Sequence, residues 1–468
     1  MAEAKKIAII YGEYKTGIQK KAIDRLTEII VDYTAEYPVC FASDGFCDGE
    51  GFRCIYIGTA KNNPFIKSVG TEHPTNPESY RILVKDGTVY IEGADDAGVL
   101  YGCSDFYDRY LLPIEYPHNG WKYVFNPFDK PLPDAEISSA PAIKNRGIWT
   151  WGHVIYDWRG FIDNMVKLKM NVITVWNDFP PLNAKDMVAY AHDCGIKVIW
   201  GYPWLWDTDC LKADISDLGK AAKAAFDRYE RDYASVGGDG IYFQSFTETK
   251  SETIGGRLIA DAVTELVNRG AAMFFEKYPG IELQFGLHAE SVKERLSYIK
   301  NIDPRIRIVW ENCGAFPFSY IPNDVADFGK TADFVRTLTH LRENERFGAV
   351  TKGLVKLDWN AFEHPRGPMA FGATSEKFKE NRIVRKHKFW KYIQAYWLTN
   401  APKAGEMMRL MAKETDGDTY VTALIEDGMF EREIMYPAAV SAEFMWDGES
   451  DFTDIMNRTA LRSYVTFA

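Results

Sequence analysis

Acidic side chains stand directly after short apolar runs at several points along the chain, and the clearest is Glu248 in the run DGIYFQSFTET at residues 239–249. The apolar part of this run favours a strand and is too short for a helix. A carboxylate just beyond a buried strand is where barrel enzymes hold their acids. Phe246 and Trp200 are expected to lie beside Glu248 and to bury it. Glu248 is therefore our candidate catalytic acid.

A second carboxylate is needed if the chemistry is glycoside hydrolysis, in which one carboxyl group is protonated and the other is ionised. Glu311 follows the apolar run at 306–310, and Asp358 follows the run at 353–357. We predict that Glu311 is the base or nucleophile, with Asp358 as its competitor. Each of these acids could instead be a capping or salt-bridged residue in a loop between a strand and a helix.

Apolar runs of this kind recur through most of the chain. Seven candidate strands alternate with segments of helical length: residues 145–151, 172–176, 196–200, 239–249, 281–287, 306–310 and 353–357. Such alternation over about 200 to 300 residues favours a parallel barrel. We predict the eighth strand at 438–446 in preference to 395–398, which leaves 377–426 as a mostly helical insertion. The predicted fold is α/β, a TIM-type (β/α)8 barrel preceded by a small α+β domain.

The small domain is predicted from the sequence before the barrel. Residues 5–11 and 54–58 are short runs of strand type, and residues 80–92 contain two more, joined by Asp86-Gly87, a strong hairpin signal. Helical patterns cover 16–37 and 97–110. The proline-rich segment 113–141 is interpreted as a linker, with the boundary near Ser138. The predicted domains are thus 1–137 and 138–468.

Composition narrows the possible partners. The net charge of −11 argues against a nucleic-acid partner, which needs a basic face. No apolar run of the sequence approaches the roughly 20 residues that span a bilayer. The first residues lack a signal-peptide core, and the seven cysteines include no CxxC pair, so we expect a cytoplasmic protein with reduced thiols. We expect a carbohydrate substrate and no cofactor or metal, and the oligomeric state is left open.

Aromatic and polar side chains gather at the predicted strand ends. Eight tryptophans stand at or just after them: Trp149, Trp151, Trp176, Trp200, Trp204, Trp206, Trp310 and Trp359. A tryptophan ring is flat and apolar and has one N–H donor at its edge. Such a ring suits a pyranose, whose faces carry C–H bonds and whose edge carries hydroxyls. We predict substrate contacts from Trp149, Trp151, Trp176, Asn177, Trp200, His288, Trp310 and Trp359. Packing in the barrel core is the alternative for each ring.

The sequence also resembles two families of glycoside hydrolases. The segment YRILVKDGTVYIEG at 80–93, followed by GVLYG at 98–102, is similar to the small domain that precedes the barrel in families 20 and 67, the β-hexosaminidases and α-glucuronidases. The resemblance covers most of the chain. It implies that Arg146 is a sugar-binding arginine and that Glu248 is the general acid after the fourth strand.

Thr247 departs from the hexosaminidase pattern, in which an Asp directly before the acid orients the acetamido group of the substrate. The stretch from Ser245 to Glu248 is closer to the α-glucuronidase pattern. The departure argues against a substrate-assisted mechanism. It leaves open a separate, related family of the same architecture.

Together these observations predict an exo-acting glycoside hydrolase that removes a terminal sugar of the uronic acid or hexosaminide type. Two alternatives stay open. One is a metal-dependent sugar isomerase or lyase, with His153, Glu248, His288, Glu311 and Asp358 as possible ligands. The other is a carbohydrate-binding protein that has lost its chemistry and keeps the aromatic mouth of the barrel.

Overall fold

The computed structural model describes residues 5–47, 49–70, 72–115, 128, 130–177, 179–205, 210–311, 327–343, 345–355, 367–415, 418–425 and 429–468. The chain forms two compact units. One contains Met1–Pro141, His192–Gly195 and Ala460–Ser463, and the other contains Ala142–Ala191, Ile196–Thr459 and Tyr464–Ala468.

The first unit is built on a mixed six-stranded sheet. Its strands are β1 Lys6–Tyr11, β2 Val39–Ala42, β3 Phe52–Gly58, β4 Tyr80–Lys85, β5 Thr88–Gly93 and β6 Ala135–Ser139, in the order β2-β1-β3-β5-β4-β6. Its helices are α1 Gly17–Thr34, α2 Pro64–Ser68, α3 Asp96–Asp105 and α4 Leu112–Glu115. The core is apolar and includes Ala8, Ile10 and Ile66.

The predicted hairpin in this unit is confirmed, because β4 and β5 pair in antiparallel fashion on either side of Asp86 and Gly87. Both turn residues have positive φ, 50° for Asp86 and 74° for Gly87, as a two-residue hairpin with the favoured twist requires. The linker prediction for 113–141 is wrong in part, since β6 pairs with β4 at the sheet edge. One face of β6 is exposed and carries Glu136 and Ser138, so its sequence has no apolar run to reveal a strand.

The second unit contains a closed barrel of eight parallel strands, which confirms the predicted fold class. The barrel strands are β7 Asn145–Trp151, β8 Val172–Trp176, β9 Lys197–Gly201, β10 Gly240–Gln244, β13 Glu282–Leu287, β14 Arg307–Trp310, β15 Phe347–Thr351 and β16 Tyr420–Leu424. Two short pairs lie outside the barrel: β11 Thr253–Ile254 with β12 Arg257–Leu258, and β17 Ile434–Met435 with β18 Val465–Thr466. Pairing of β16 with β7 and of β9 with β10 completes the closure.

Helices follow the barrel strands. They are α5 Trp158–Lys167, α6 Ala184–Asp193, α7 Leu218–Arg228, α8 Ile259–Lys277, α9 Leu296–Ile299, α10 Phe328–Thr339, α11 Glu376–Glu414, α12 Tyr436–Trp446 and α13 Phe452–Ala460. Helix α5 shows why the sequence folds this way locally. The Asp157 side chain accepts hydrogen bonds from the amides of Arg159 and Gly160, which caps the helix. Phe161, Ile162 and Met165 form the buried face.

Alternate residues of the barrel strands fill the interior. The interior cluster includes Trp149, Trp151, Val172, Trp176, Ile199, Tyr242, Val309, Val350, Tyr420 and Leu424. Successive side chains of a strand point to opposite faces, so the residues between these point outward, toward the helices. Both faces of each barrel strand are buried, and this explains why the strand sequences are nearly continuous apolar runs.

Two of the predicted strands are misplaced. The seventh is Phe347–Thr351 and not 353–357, because Gly353 adopts a positive φ of 90° that ends the extended run. The eighth is Tyr420–Leu424, and the preferred segment 438–446 lies inside helix α12. All residues of α12 are buried, so its apolar sequence has no periodicity that distinguishes a helix from a strand. The competing segment 395–398 lies inside α11.

The tightest backbone approach in the barrel gives a stability prediction. A Cβ added to Gly147 would lie 1.6 Å from the carbonyl oxygen of Val172 on the neighbouring strand. We expect Gly147→Ala to lower the free energy of unfolding by roughly 3 kcal/mol, the cost of forcing strands apart in a packed core. Gly280→Ala is the control, since an added Cβ there meets nothing within 4 Å. Its effect should stay within about 0.5 kcal/mol. Equal urea midpoints for the two variants would contradict the packing argument.

Candidate active site

Glu311 is the most enclosed carboxylate among the predicted site residues that the structure describes. It directly follows β14 and is only 3% exposed. Val309 lies in the barrel interior, and the alternation of side chains points Glu311 to the same side. A buried carboxylate is costly unless nearby groups compensate for the lost water. Glu311 should therefore be surrounded by cations and hydrogen-bond donors.

Three neighbouring strands supply those groups. The Nε2 atom of His288, just after β13, lies 2.7 Å from Glu311 Oε2. The Nζ atom of Lys352, just after β15, lies 3.7 Å from Glu311 Oε1. Gln244, the last residue of β10, donates its Nε2–H to Glu311 Oε2. Four strands thus bring one buried cluster together at the carboxyl end of the barrel.

The charges of this cluster keep Glu311 ionised. Burial alone would raise the pKa of Glu311, but the positive charge of Lys352 and the contact with His288 outweigh it and lower that pKa to about 2. Burial and the adjacent Glu311 charge raise the pKa of Tyr242 well above its usual value, so its hydroxyl stays protonated. Glu311 is therefore a carboxylate near neutral pH.

Glu248 also lies near His288. Its Oε2 atom is 4.0 Å from His288 Nε2, and its side chain is 42% exposed. Since the same nitrogen is 2.7 Å from Glu311 Oε2, these two carboxylate oxygens are at most 6.7 Å apart, the sum of the two distances. The expected burial of Glu248 beside Phe246 and Trp200 is wrong. Glu248 can exchange protons with solvent, whereas Glu311 is almost closed off from it.

The loop after β10 explains this exposure. The amide of Thr247 donates to the carbonyl of Ser245 at 2.8 Å, and the amide of Thr249 donates to the carbonyl of Thr247 at 2.9 Å. The Ser291 hydroxyl donates to the same Thr247 carbonyl at 2.7 Å. These bonds hold Thr247 in the interior and leave Glu248 at the surface. The Thr247 hydroxyl itself has no hydrogen-bond partner among the residues that the structure describes.

Three of the predicted tryptophans form one aromatic cluster inside the barrel. The ring of Trp149 lies 4.8 Å from that of Trp151 and 6.1 Å from that of Trp176, and 5.9 Å from that of Tyr242. All three tryptophans are at most 4% exposed, so they pack as the core alternative predicted. The Trp149 Nε1–H has no acceptor in the described part of the chain, which leaves one donor for a ligand or water beside the Glu311 cluster.

The structure does not bring Trp200, Trp310 and Arg146 to this cluster. Trp200 donates to the carbonyl of Gly237 at 2.8 Å, before the start of β10. The ring of Trp310 packs against Phe334 of α10 at 5.2 Å. All three side chains are out of register with the interior positions of their strands and point toward the helices.

Arg146 also stands at the opposite end of its strand. It donates to the carbonyls of Ile143 and Lys144 at 3.3 and 3.1 Å, before β7. Its guanidinium lies 4.8 Å from the ring centre of Trp446 in α12. Arg146 therefore stabilises the amino-terminal end of the barrel, away from the strand ends that carry Glu311.

Of the remaining predicted residues, one makes a contact within the fold and two lie outside the described residues. Asn177 follows β8, and its carbonyl accepts a 2.7 Å hydrogen bond from the Tyr233 hydroxyl. Asp358 and Trp359 lie outside the described residues. Lys352 and Gln244 were not predicted. Placing the seventh strand at 347–351 would have put Lys352 directly after a strand end, which is the signal that could have found it. Among the described residues, no group of three or more His, Cys, Asp or Glu has a geometry that could hold a metal.

No protein-family model matches this chain, and no curated protein is similar to it in sequence. Its fold is similar to those of solved glycoside hydrolases. A chitobiase of Flavobacterium johnsoniae from family GH20 matches with a TM-score of 0.58 and 13% identity, over 98% of this chain and 68% of that one. The β-N-acetylhexosaminidase of Bacteroides fragilis matches with a TM-score of 0.54 and 15% identity, over 97% of this chain and 90% of that one.

A GH138 enzyme that targets pectin rhamnogalacturonan II matches with a TM-score of 0.55 and 13% identity, over 96% of this chain. The chain spans 65% of that enzyme's length. These similarities confirm the predicted fold, the (β/α)8 barrel found in glycoside hydrolases. No helix in the described ranges combines the length and apolar character that a membrane crossing needs.

The buried pair of Glu311 and Lys352 gives a prediction of pH-dependent stability. The pKa of Glu311 lies below its ordinary value, so its stabilising contribution is complete above about pH 4.5 and is lost as the pH falls toward 2. Lys352→Met removes the main compensating charge and raises the pKa of Glu311. We expect the variant to be less stable by roughly 3 kcal/mol near pH 7. The difference from wild type should narrow as the pH falls, because protonation then removes the uncompensated charge.

Urea unfolding between about pH 3 and pH 7 measures this difference. Lys223→Met is the control, because Lys223 forms an exposed pair with Asp227 on α7. Its stability should change by less than about 1 kcal/mol at every pH. A stability loss for Lys352→Met that does not vary with pH would mean that Lys352 supports packing and not the charge of Glu311.

Proposed function

We propose that this chain is a glycoside hydrolase that releases a terminal sugar, with Glu248 as general acid and Glu311 as the ionised carboxylate. One observation carries the proposal. The two carboxylates approach the same His288 nitrogen in opposite environments, one exposed and one buried and ionised. Two carboxyl groups with divided roles are what glycoside hydrolysis requires. The fold shared with solved glycoside hydrolases supports the same reaction class.

Each carboxylate has a role that follows from its surroundings. Glu248 is reached by solvent and can take up a proton between turnovers, so it donates that proton to the glycosidic oxygen as the bond breaks. Glu311 stays ionised near neutral pH and faces the barrel interior at the carboxyl end of the strands. Its charge stabilises the positive charge that develops on the sugar, and it serves as base or nucleophile. His288 lies within 4.0 Å of both carboxylates and couples their charges.

The residue before the acid bears on the substrate. Thr247 stands where the resembled hexosaminidases have an Asp, and a neutral hydroxyl cannot supply the charge that orients an acetamido group in that mechanism. The buried Thr247 hydroxyl fits a hydrogen bond to a neutral sugar hydroxyl. We therefore favour a uronic acid over a hexosaminide as the terminal sugar. We also propose that the enzyme acts in the cytoplasm, because Cys103 is a free thiol and a reducing compartment keeps thiols in this state.

Removal of the acid tests the assignment of Glu248. We expect Glu248→Gln to lower kcat by about 10² to 10⁴, because an amide cannot donate the proton. Sugar binding should persist. Glu252→Gln is a matched control, since Glu252 lies in the same loop with the same 42% exposure and pairs with Arg295 at 3.2 Å. It should keep the wild-type rate. A Glu248→Gln variant with a wild-type rate would exclude Glu248 as the acid.

A screen of aryl glycosides, including uronides and N-acetylhexosaminides, tests the reaction class. Release of the aryl group from at least one of them, dependent on Glu248, is the expected result. Hydrolysis of N-acetylhexosaminides alone would overturn the argument from Thr247. Detectable sugar binding without hydrolysis of any substrate would favour a carbohydrate-binding protein instead.

A further inference from the structure

Strand β13 has a position without a side chain directly between the strand that carries Gln244 and the strand that leads to Glu311. In the barrel register, Gly286 of β13 pairs with Gln244 of β10 on one side and with Val309 of β14 on the other. Glu311 follows Val309 by two residues and points to the same side. The Gln244 side chain donates to Glu311 and therefore crosses β13 at the level of Gly286.

The space above Gly286 is filled by two side chains of β10. A Cβ added to Gly286 would lie 3.1 Å from Cγ of Gln244 and 2.6 Å from Cζ of Tyr242, and closer still to the Tyr242 hydroxyl. The φ of Gly286 is not positive, so the backbone conformation does not require a glycine there. The room that Tyr242 and Gln244 need explains why this position has no side chain.

The ring of Tyr242 points toward the carboxyl end of the barrel. Its Cα pairs with Gln284 of β13, but its hydroxyl reaches the next interior position of that strand, Gly286. The rings of Trp149 and Trp176 pack against it in edge-to-face geometry, with centres 5.9 and 6.2 Å away. Tyr242 is completely buried, so its hydroxyl has no access to bulk water.

The Tyr242 hydroxyl is a buried donor beside a buried carboxylate. Burial raises the pKa of Tyr242 well above its ordinary value, and the charge of Glu311 raises it further, so the hydroxyl keeps its proton. Burial raises the pKa of Glu311, Lys352 lowers it most, and Tyr242 adds to the lowering.

The Tyr242 and Glu311 oxygens nevertheless fall outside hydrogen-bond geometry, and the hydroxyl has no other partner in the described part of the chain. A buried donor without an acceptor is costly, whereas an ionised carboxylate accepts hydrogen bonds from several donors. A small shift of either side chain would therefore lower the free energy of both.

We propose that Tyr242 is a positioning residue that donates a hydrogen bond to Glu311, and that the missing side chain at Gly286 is the passage through which Tyr242 and Gln244 reach this carboxylate. Two donors from β10 then fix the direction of the Glu311 oxygens. This inference rests on the proposed function and deepens it, because it names the groups that hold the ionised carboxylate in place.

A double-mutant cycle tests the contact without any substrate. Tyr242→Phe keeps the ring and removes only the hydroxyl. We expect it to lower the urea midpoint of unfolding near neutral pH, because Glu311 loses a donor. In a Glu311→Gln background the same change should shift the midpoint much less, because the charge that strengthens the bond is gone. Equal shifts in the two backgrounds, or no shift in either, would overturn the proposal.

Tyr420→Phe is the matched control for this cycle. Tyr420 is another buried tyrosine of the barrel interior, but its hydroxyl bonds to that of Thr174 at 2.7 Å. Loss of that hydroxyl should lower the urea midpoint by the same amount in the wild-type and Glu311→Gln backgrounds. It should leave kcat unchanged.

Kinetics on an aryl glycoside that the wild type hydrolyses separate a positioning role from direct contact with the sugar. Tyr242→Phe should lower kcat roughly tenfold to a hundredfold, the effect of losing one hydrogen bond to a charged group. KM should stay at its wild-type value, because the hydroxyl acts through Glu311 and not on the bound sugar. A raised KM with an unchanged kcat would overturn the proposal, since Tyr242 would then bind the sugar.

Gly286→Ala tests the passage itself. We expect it to lower kcat at least as much as Tyr242→Phe, because the added Cβ displaces both Tyr242 and Gln244. A folded Gly286→Ala variant with the wild-type kcat would contradict the passage. If this variant does not fold, the Tyr242→Phe results decide the proposal.

Failure of the proposed function has a different signature from failure of this inference. The urea midpoints would still show coupling between Tyr242 and Glu311, while no glycoside would be hydrolysed. Glycoside hydrolysis with no coupling in the midpoints would instead overturn only the role of Tyr242.

Discussion

The alternation of side chains along a β-strand, combined with closure of eight strands into a barrel, is the constraint on which the candidate site depends. In an open sheet each strand would present its alternate residues to a broad face. In the closed barrel the same residues meet in a narrow interior. Val309 therefore fixes where Glu311 points, and Val350 does the same for Lys352. A shift of one residue in any strand would turn its site residue toward the helices.

Charge compensation is the second requirement of this site. A carboxylate that is nearly closed off from water is tolerated only when other groups replace the interactions it has lost. His288, Lys352 and Gln244 replace them, and each comes from a different strand. The cluster is thus a property of the whole barrel. The cluster also makes Glu311 chemically different from Glu248, because Glu311 stays charged while Glu248 remains in contact with solvent.

The aromatic residues show how one residue type can have two roles at the end of a barrel. Trp149, Trp151 and Trp176 pack inside and support the Glu311 cluster, whereas Trp200 and Trp310 pack outward against the helix layer. Their positions at the strand ends looked equivalent in the sequence. Phe378 is 50% exposed and lies on a helix that sequence analysis assigned only to an insertion.

The sequence by itself determined the fold class, the hairpin at Asp86-Gly87 and six of the eight barrel strands, because short apolar runs and turn residues are local signals. It also placed Glu248 and Glu311 at strand ends. The tertiary structure alone decided the eighth strand, because α12 is buried on every side and its apolar sequence fits either element. It alone decided that His288 and Lys352 meet Glu311, and that Arg146 does not. Contacts between strands far apart in the chain depend on register and closure, which leave no mark in the local pattern of any one strand.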